Sequence, residues 1–149
     1  MKTILFLLAM CFPNLVFATS VLPKPLEEMV READHVLVAK IVSVDLVDGD
    51  GRPLTDREAG TGPGSPNLMR LNLEVQEVLF VRMKPPPRTL RVPLWQMWHY
   101  SLGTMQDGLT GDTGIFLLKG NEFEPVYPAH FQRALEERAK IVRLLEKAP

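Results

Sequence analysis

The chain has 149 residues, a formal net charge of −1 and one cysteine. Its lysines and arginines are scattered among Asp and Glu, which excludes the basic footprint of a nucleic-acid binder and the polybasic patch of a membrane-surface protein. With Cys11 as the only thiol no internal disulfide is possible, so packing alone must hold the fold.

The N-terminus reads as an export signal. Lys2 supplies the positive start, Ile4 to Phe12 an apolar run, Pro13 and Asn14 a break, and Val16-Phe17-Ala18 a cleavage site. The run is about half the length of a bilayer span, so cleavage near Ala18 is expected rather than a lasting membrane anchor. Cys11 leaves with the signal, and Met10 stands where a lipidated cysteine needs Gly, Ala or Ser. The expectation is a signal at 1–18 and one disulfide-free domain at 19–149, periplasmic or secreted. A mature chain of roughly 130 residues is enough for one core.

Leu26, Met29, Val30 and Ala33 fall at helical spacing and predict a short amphipathic helix after Pro23 and Pro25. His35 to Leu46 switches to a period of two, with apolar residues on both faces, which predicts a strand covered on both sides. Val36, Val38, Val42, Val44 and Leu46 would share one of those faces. Residues 47–66 are rich in Gly, Pro, Asp, Thr and Ser and predict a long mobile loop. Leu68 to Val81 alternates most regularly, with Met69, Leu71, Leu73, Val75, Leu79 and Val81 inward. Glu77 interrupts that face, which predicts a bulge or the strand's exposed end.

After the Pro85-Pro86-Pro87 turn, Thr89 to Leu94 predicts a third strand, and Trp95 to Asp112 reads as irregular. Thr113 to Leu118 and Glu122 to Tyr127 predict a hairpin through Lys119-Gly120-Asn121. Pro128 would open a C-terminal helix over 128–147, its stripe made by Phe131, Ala134, Leu135, Ile141, Val142 and Leu145, with Arg138 snorkelling from within it. The fold class is therefore mainly β within α+β: five strands in a small, partly open Greek-key barrel with a helix at each end.

In this setting Ala33-Asp34-His-Val-Leu-Val-Ala-Lys-Ile-Val-Ser-Val44, Leu73-Glu-Val-Gln-Glu-Val-Leu79 and Gly114-Ile-Phe-Leu-Leu-Lys119 resemble the OB-fold barrel of tissue-inhibitor-of-metalloproteinase and netrin-like (NTR) modules and their bacterial relatives. The resemblance covers roughly residues 26 to 127 and implies an OB-like barrel. Eukaryotic inhibitors of that family act through an N-terminal cysteine held by disulfides. A mature chain beginning Thr19-Ser20-Val21 without cysteine does not carry that activity over.

Chemical motifs are sparse. His35, His99 and His130 lie far apart with no His-Glu-x-x-His. Asp48-Gly49-Asp50-Gly51 fails as an EF-hand, because Leu46 and Arg57 would fall at its first and last ligand positions, and reads as a turn. Ser101 has no Gly-x-Ser-x-Gly setting and no evident orienting acid. No catalytic residue and no cofactor are expected; a small hydrolase using Ser101 is the most distant alternative. The unusual constellation is Trp95, Met97, Trp98, His99 and Tyr100, which holds both tryptophans of the chain. It reads either as a plug for one end of the barrel or as a contact surface, here for an envelope protein. Met97, His99 and Met105 are soft donors that would suit Cu(I) and form the metal-binding alternative.

Overall fold

The computed structural model describes residues 21–148; the expected signal and its cleavage site lie outside the described residues. Helix α1 (Leu26–Glu32) turns Leu26, Met29 and Val30 into the core, as its spacing predicts. It stops where Ala33 becomes extended, the Ala33 N–H closing back on the carbonyls of Met29 and Val30. Strands β1 (His35–Val47), β2 (Pro53–Leu54), β3 (Leu68–Val81) and β4 (Thr89–Pro93) follow, then helix α2 (Leu102–Leu109). Strands β5 (Thr113–Lys119), β6 (Glu124–Pro125) and β7 (Gln132–Arg133) precede a short 3-10 turn at Leu135–Glu137 and helix α3 (Arg138–Lys147).

The fold is α+β: an antiparallel seven-stranded sheet among the described residues, ordered β4-β3-β1-β5-β6, with β2 beside β1 and β7 beside β5. Its core is the inner half of β1 and β3 together with β5. Val36, Leu37, Ala39 and Ile41 are fully buried, as are Leu73, Ile115, Phe116, Leu117 and Leu118. Both faces of the first half of β1 are covered, as expected from its double apolar pattern. At roughly 1.5–3 kcal/mol per large buried side chain, these strands carry most of the apolar stabilisation.

The predicted partly open, five-stranded Greek-key barrel is corrected in strand number and in closure: the described residues hold seven strands, and their sheet is not closed into a barrel. Backbone chemistry explains the second point. Leu94 N–H donates to Met69 O at 2.9 Å and Val75 N–H to Arg88 O at 2.8 Å. In an antiparallel ladder the alternate residues Thr89, Arg91 and Pro93 then turn their backbone groups away from β3. Val126 N–H donates to Leu117 O at 3.1 Å, which turns Pro125 away from β5 in the same way. Neither proline has an N–H to give. The two edges, β4 and β6, therefore meet with carbonyls on both sides at Pro93 and Pro125, and a groove remains between them.

Register shifts correct other expectations. β1 and β3 slip at Ile41/Ser43, which leaves Val42 as the extra residue, 43% exposed rather than on the inner face. Two more shifts, at Val36/Leu37 and Val38/Ala39, leave Gln76 and Leu79 as extra residues in β3, and Glu77 sits beside one of them as expected. Val78 and Val81 are exposed there, and the bulges blunt the one stretch of β3 that β4 does not cover.

The C-terminal helix does not begin at Pro128. His130 takes a left-handed φ of 61°, and the chain runs extended as β7 along Ile115 and Phe116 before turning helical at Arg138. Gly114 permits that approach, since a Cβ there would lie 3.0 Å from Arg133 O. Phe131 is buried, but Leu135 is 41% exposed, and Arg138 reaches Glu77 across the surface instead of snorkelling within a stripe. The predicted strand at 122–127 shrinks to β6.

Candidate functional site

The segment from Trp95 to Tyr100 leaves the end of β4 in a turn, Trp98 N–H approaching Trp95 O at 3.4 Å. Trp98 packs edge-on between Trp95 and Tyr100, with ring centroids 5.6 and 6.0 Å apart. These three rings form a wall with a concavity on each side. On one side lies the groove between the sheet edges, about 790 Å³, lined by Trp95, Gln96 and Met97 together with Pro93, Pro125 and Tyr127. On the other lies a shallower hollow of about 540 Å³, lined by His99, Tyr100, Ser101, Thr104, Met105 and Glu58.

The structure thus divides the predicted residues. Trp95 and Met97 face the groove, His99 and Tyr100 the hollow, and Trp98 joins the two halves. For the metal alternative, Met97 lines the groove whereas His99 and Met105 line the hollow. No cluster of three or more His, Cys, Asp or Glu suited to a metal occurs among the described residues. Asp48 closes the β1–β2 turn by accepting the N–H groups of Asp50 and Arg52, each at 2.9 Å. Ser101 Oγ donates to Thr104 Oγ1 at 2.7 Å. Glu58 reaches the same hollow as His99 and Ser101, an acid that sequence distance concealed.

The loop at 47–66, expected to be mobile, is the scaffold of this wall. β2 pairs with the end of β1, and Gly60 bridges Ser101. Thr61 N–H donates to Tyr100 O at 3.0 Å, its hydroxyl to Trp98 O at 2.7 Å, and Leu102 N–H to Ala59 O at 2.9 Å. Asn67 Nδ2 donates to Gly60 O, and Arg57 clamps α2 through Gln106 and Asp107. The His99 ring lies over Gly62, where an added Cβ would stand 2.6 Å from Nδ1. His35 lines neither concavity: it is 1% exposed, packs against Phe123, and neither ring nitrogen has a hydrogen-bond partner among the described residues.

Burial pushes the Tyr100 hydroxyl up to about 12, from an ordinary value of 10.0. A folded value above the unfolded one means that this contribution to stability is complete below about pH 10 and is lost as the pH climbs towards 12. Replacing Tyr100→Phe is expected to flatten the alkaline loss, read as urea midpoints at neutral pH and near pH 12. An unchanged alkaline dependence in the variant would contradict the burial of this hydroxyl.

Near the end of β1, Asp45 accepts hydrogen bonds from Arg70 at 2.7 Å and Asn72 at 3.1 Å. Burial pushes its carboxyl up, but those bonds and the charges of Arg70 and Arg91 outweigh it and leave it below the usual range. No protein-family model matches the chain, and no curated protein matches it.

Proposed function

We propose that this is an exported, non-enzymatic interaction module of the cell envelope, an OB-like Greek key opened between β4 and β6, whose partner seats in the groove along Trp95 and Met97. The observation that carries this reading is the groove itself. Two sheet edges face each other with carbonyls at Pro93 and Pro125 that accept no hydrogen bond among the described residues, and large side chains line the space between them. Met97 is 43% exposed beside Trp95, the combination of adaptable thioether and rigid ring that recognition surfaces favour. The kinship to netrin-like modules rests on the strand motifs. The long bulged β1, paired on one edge with β3 and on the other with β5, is compatible with it. Export rests on the N-terminal signal pattern.

The test is a photo-reactive residue placed at Met97 in full-length protein expressed in the envelope, with one at Val42, remote and similarly exposed, as the reference. A discrete adduct is expected only from position 97, and Trp95→Ala should remove it. Equal crosslinking from both positions would overturn the reading.

A further inference from the structure

The groove already holds a ligand-like group, and it comes from the chain itself. The segment Leu22-Pro23-Lys24-Pro25 runs up to the start of α1, with Pro25 extended at φ −57° and ψ 140°. Tyr127 Oη donates to Leu22 O at 2.6 Å, and the Lys24 ammonium stands 5.5 Å from the centre of the Tyr127 ring. Glu32 at the end of α1 completes the seat, its Oε2 2.5 Å from Lys24 Nζ. An aromatic face on one side and a carboxylate on the other is the arrangement that binds an ammonium group.

Four charged residues line this groove: Lys24, Lys119, Glu32 and Glu124. With the Lys24 side chain withdrawn, two carboxylates remain for one lysine, and the groove lacks one positive charge. Its space also continues well past the ammonium seat to Trp95 and Met97, more than a single amine fills.

We infer that the groove is a lysine-binding site for an extended, proline-flanked peptide segment of a partner protein, with Lys24 as a tethered competitor that must leave before the partner's lysine enters. This rests on the groove being the partner site proposed above. The carbonyls of Pro93 and Pro125, which accept no hydrogen bond among the described residues, suit a peptide, which brings N–H donors, better than a bare amine. Because Lys24 sits on a short tether, it lowers the apparent affinity by the fraction of molecules whose seat it fills. If that fraction is about nine-tenths, its removal tightens binding about tenfold.

The experiment uses the acetylated, amidated tetrapeptide Leu-Pro-Lys-Pro, a copy of residues 22–25, titrated by calorimetry and tryptophan fluorescence into wild-type protein and Lys24→Ala. Binding to the variant is expected to be at least about tenfold tighter than to wild type. A norleucine peptide should not bind, and adding Glu32→Gln to the variant should weaken binding several-fold. Tyr127→Phe keeps the ring but frees the arm by losing the bond to Leu22, so it should also tighten binding. Equal affinity of wild type and Lys24→Ala would overturn the proposal, as would equal binding of the norleucine peptide. Cadaverine matching the peptide would replace the peptide assignment with a free amine. If the peptide fails while Met97 still crosslinks a partner, only this inference falls; if crosslinking fails too, the module reading falls with it.

Discussion

Leu73→Asp is expected to leave no cooperatively folded protein. Leu73 is fully buried in the middle of β3, opposite Ile41 of β1 on one side and Leu90 of β4 on the other. Truncation of such a leucine typically costs about 2–5 kcal/mol through lost contacts and the cavity left behind. A carboxylate adds the removal of a charge from water, with only apolar side chains to receive it, which costs several kcal/mol more. The sum is comparable to the whole stability of a typical domain, about 5–15 kcal/mol. Far-UV circular dichroism and thermal melting of the purified variant provide the measurement. A soluble variant with a cooperative transition near that of wild type would mean that β3 does not present this residue to the core.

That prediction rests on the inner strands, the most legible part of the chain. Strict alternation in Leu68–Val81 locates Met69, Leu71 and Leu73 correctly, and all three are buried. Alternation stops being a guide at a bulge, because one inserted residue reverses which face the following side chains occupy. Hence Val42 and Val81 have the spacing of inward residues and are exposed. Glu77 was the visible sign of one such break; the others have no polar residue to mark them.

Helix α2 was missed for a different reason. Its sequence contains Gly103 and Gly108, each unfavourable in a helix by about 1 kcal/mol relative to Ala, so local propensity argues against it. Tertiary contacts reverse that balance: Leu102 is buried, Gly103 lets Arg57 lie against the backbone, and Gln106 Nε2 donates to Val44 O at 3.2 Å. The C-terminal stripe fails in the opposite sense, since Phe131 and Ile141 are both buried but reach the core separately, Phe131 from the residue before β7 and Ile141 from α3.

Composition singled out Trp95–Tyr100, but not the surroundings that give those residues a role. Lys24, Glu32 and Tyr127 come from the two ends of the domain, and only the sheet order brings them beside β4. Pro93 and Pro125 were readable as strand-edge residues one at a time. That they face one another depends on which backbone groups each strand turns outward, a matter of register that no single strand reveals.

The loop at 47–66 shows how far this dependence goes, and Gly60→Ala is the substitution that exposes it. A Cβ at Gly60 would lie 2.0 Å from Tyr100 O and 3.0 Å from Tyr100 C, both backbone atoms that no rotamer change can move aside. The two segments must part by about 1 Å, since Cβ atoms are not found closer than about 3.0 Å. Parting strains the bridge to Ser101 and the hydrogen bonds of Thr61 with Tyr100 and Leu102 with Ala59. Overpacking of about 1–3 kcal/mol and the loss of one or more hydrogen bonds give an expected destabilisation of about 2–4 kcal/mol. The core of β1, β3 and β5 is untouched, so melting should stay cooperative at a lower midpoint. Tyr100 should titrate below its value of about 12, moving towards 10.0 as water reaches the hydroxyl, while tryptophan emission shifts to the red. Gly108→Ala is the matched reference: nothing lies within 4 Å of its added Cβ, and the helix should gain up to about 1 kcal/mol. If Gly60→Ala melts and titrates like wild type, the loop does not abut the aromatic segment, and the wall dividing groove from hollow has lost its support.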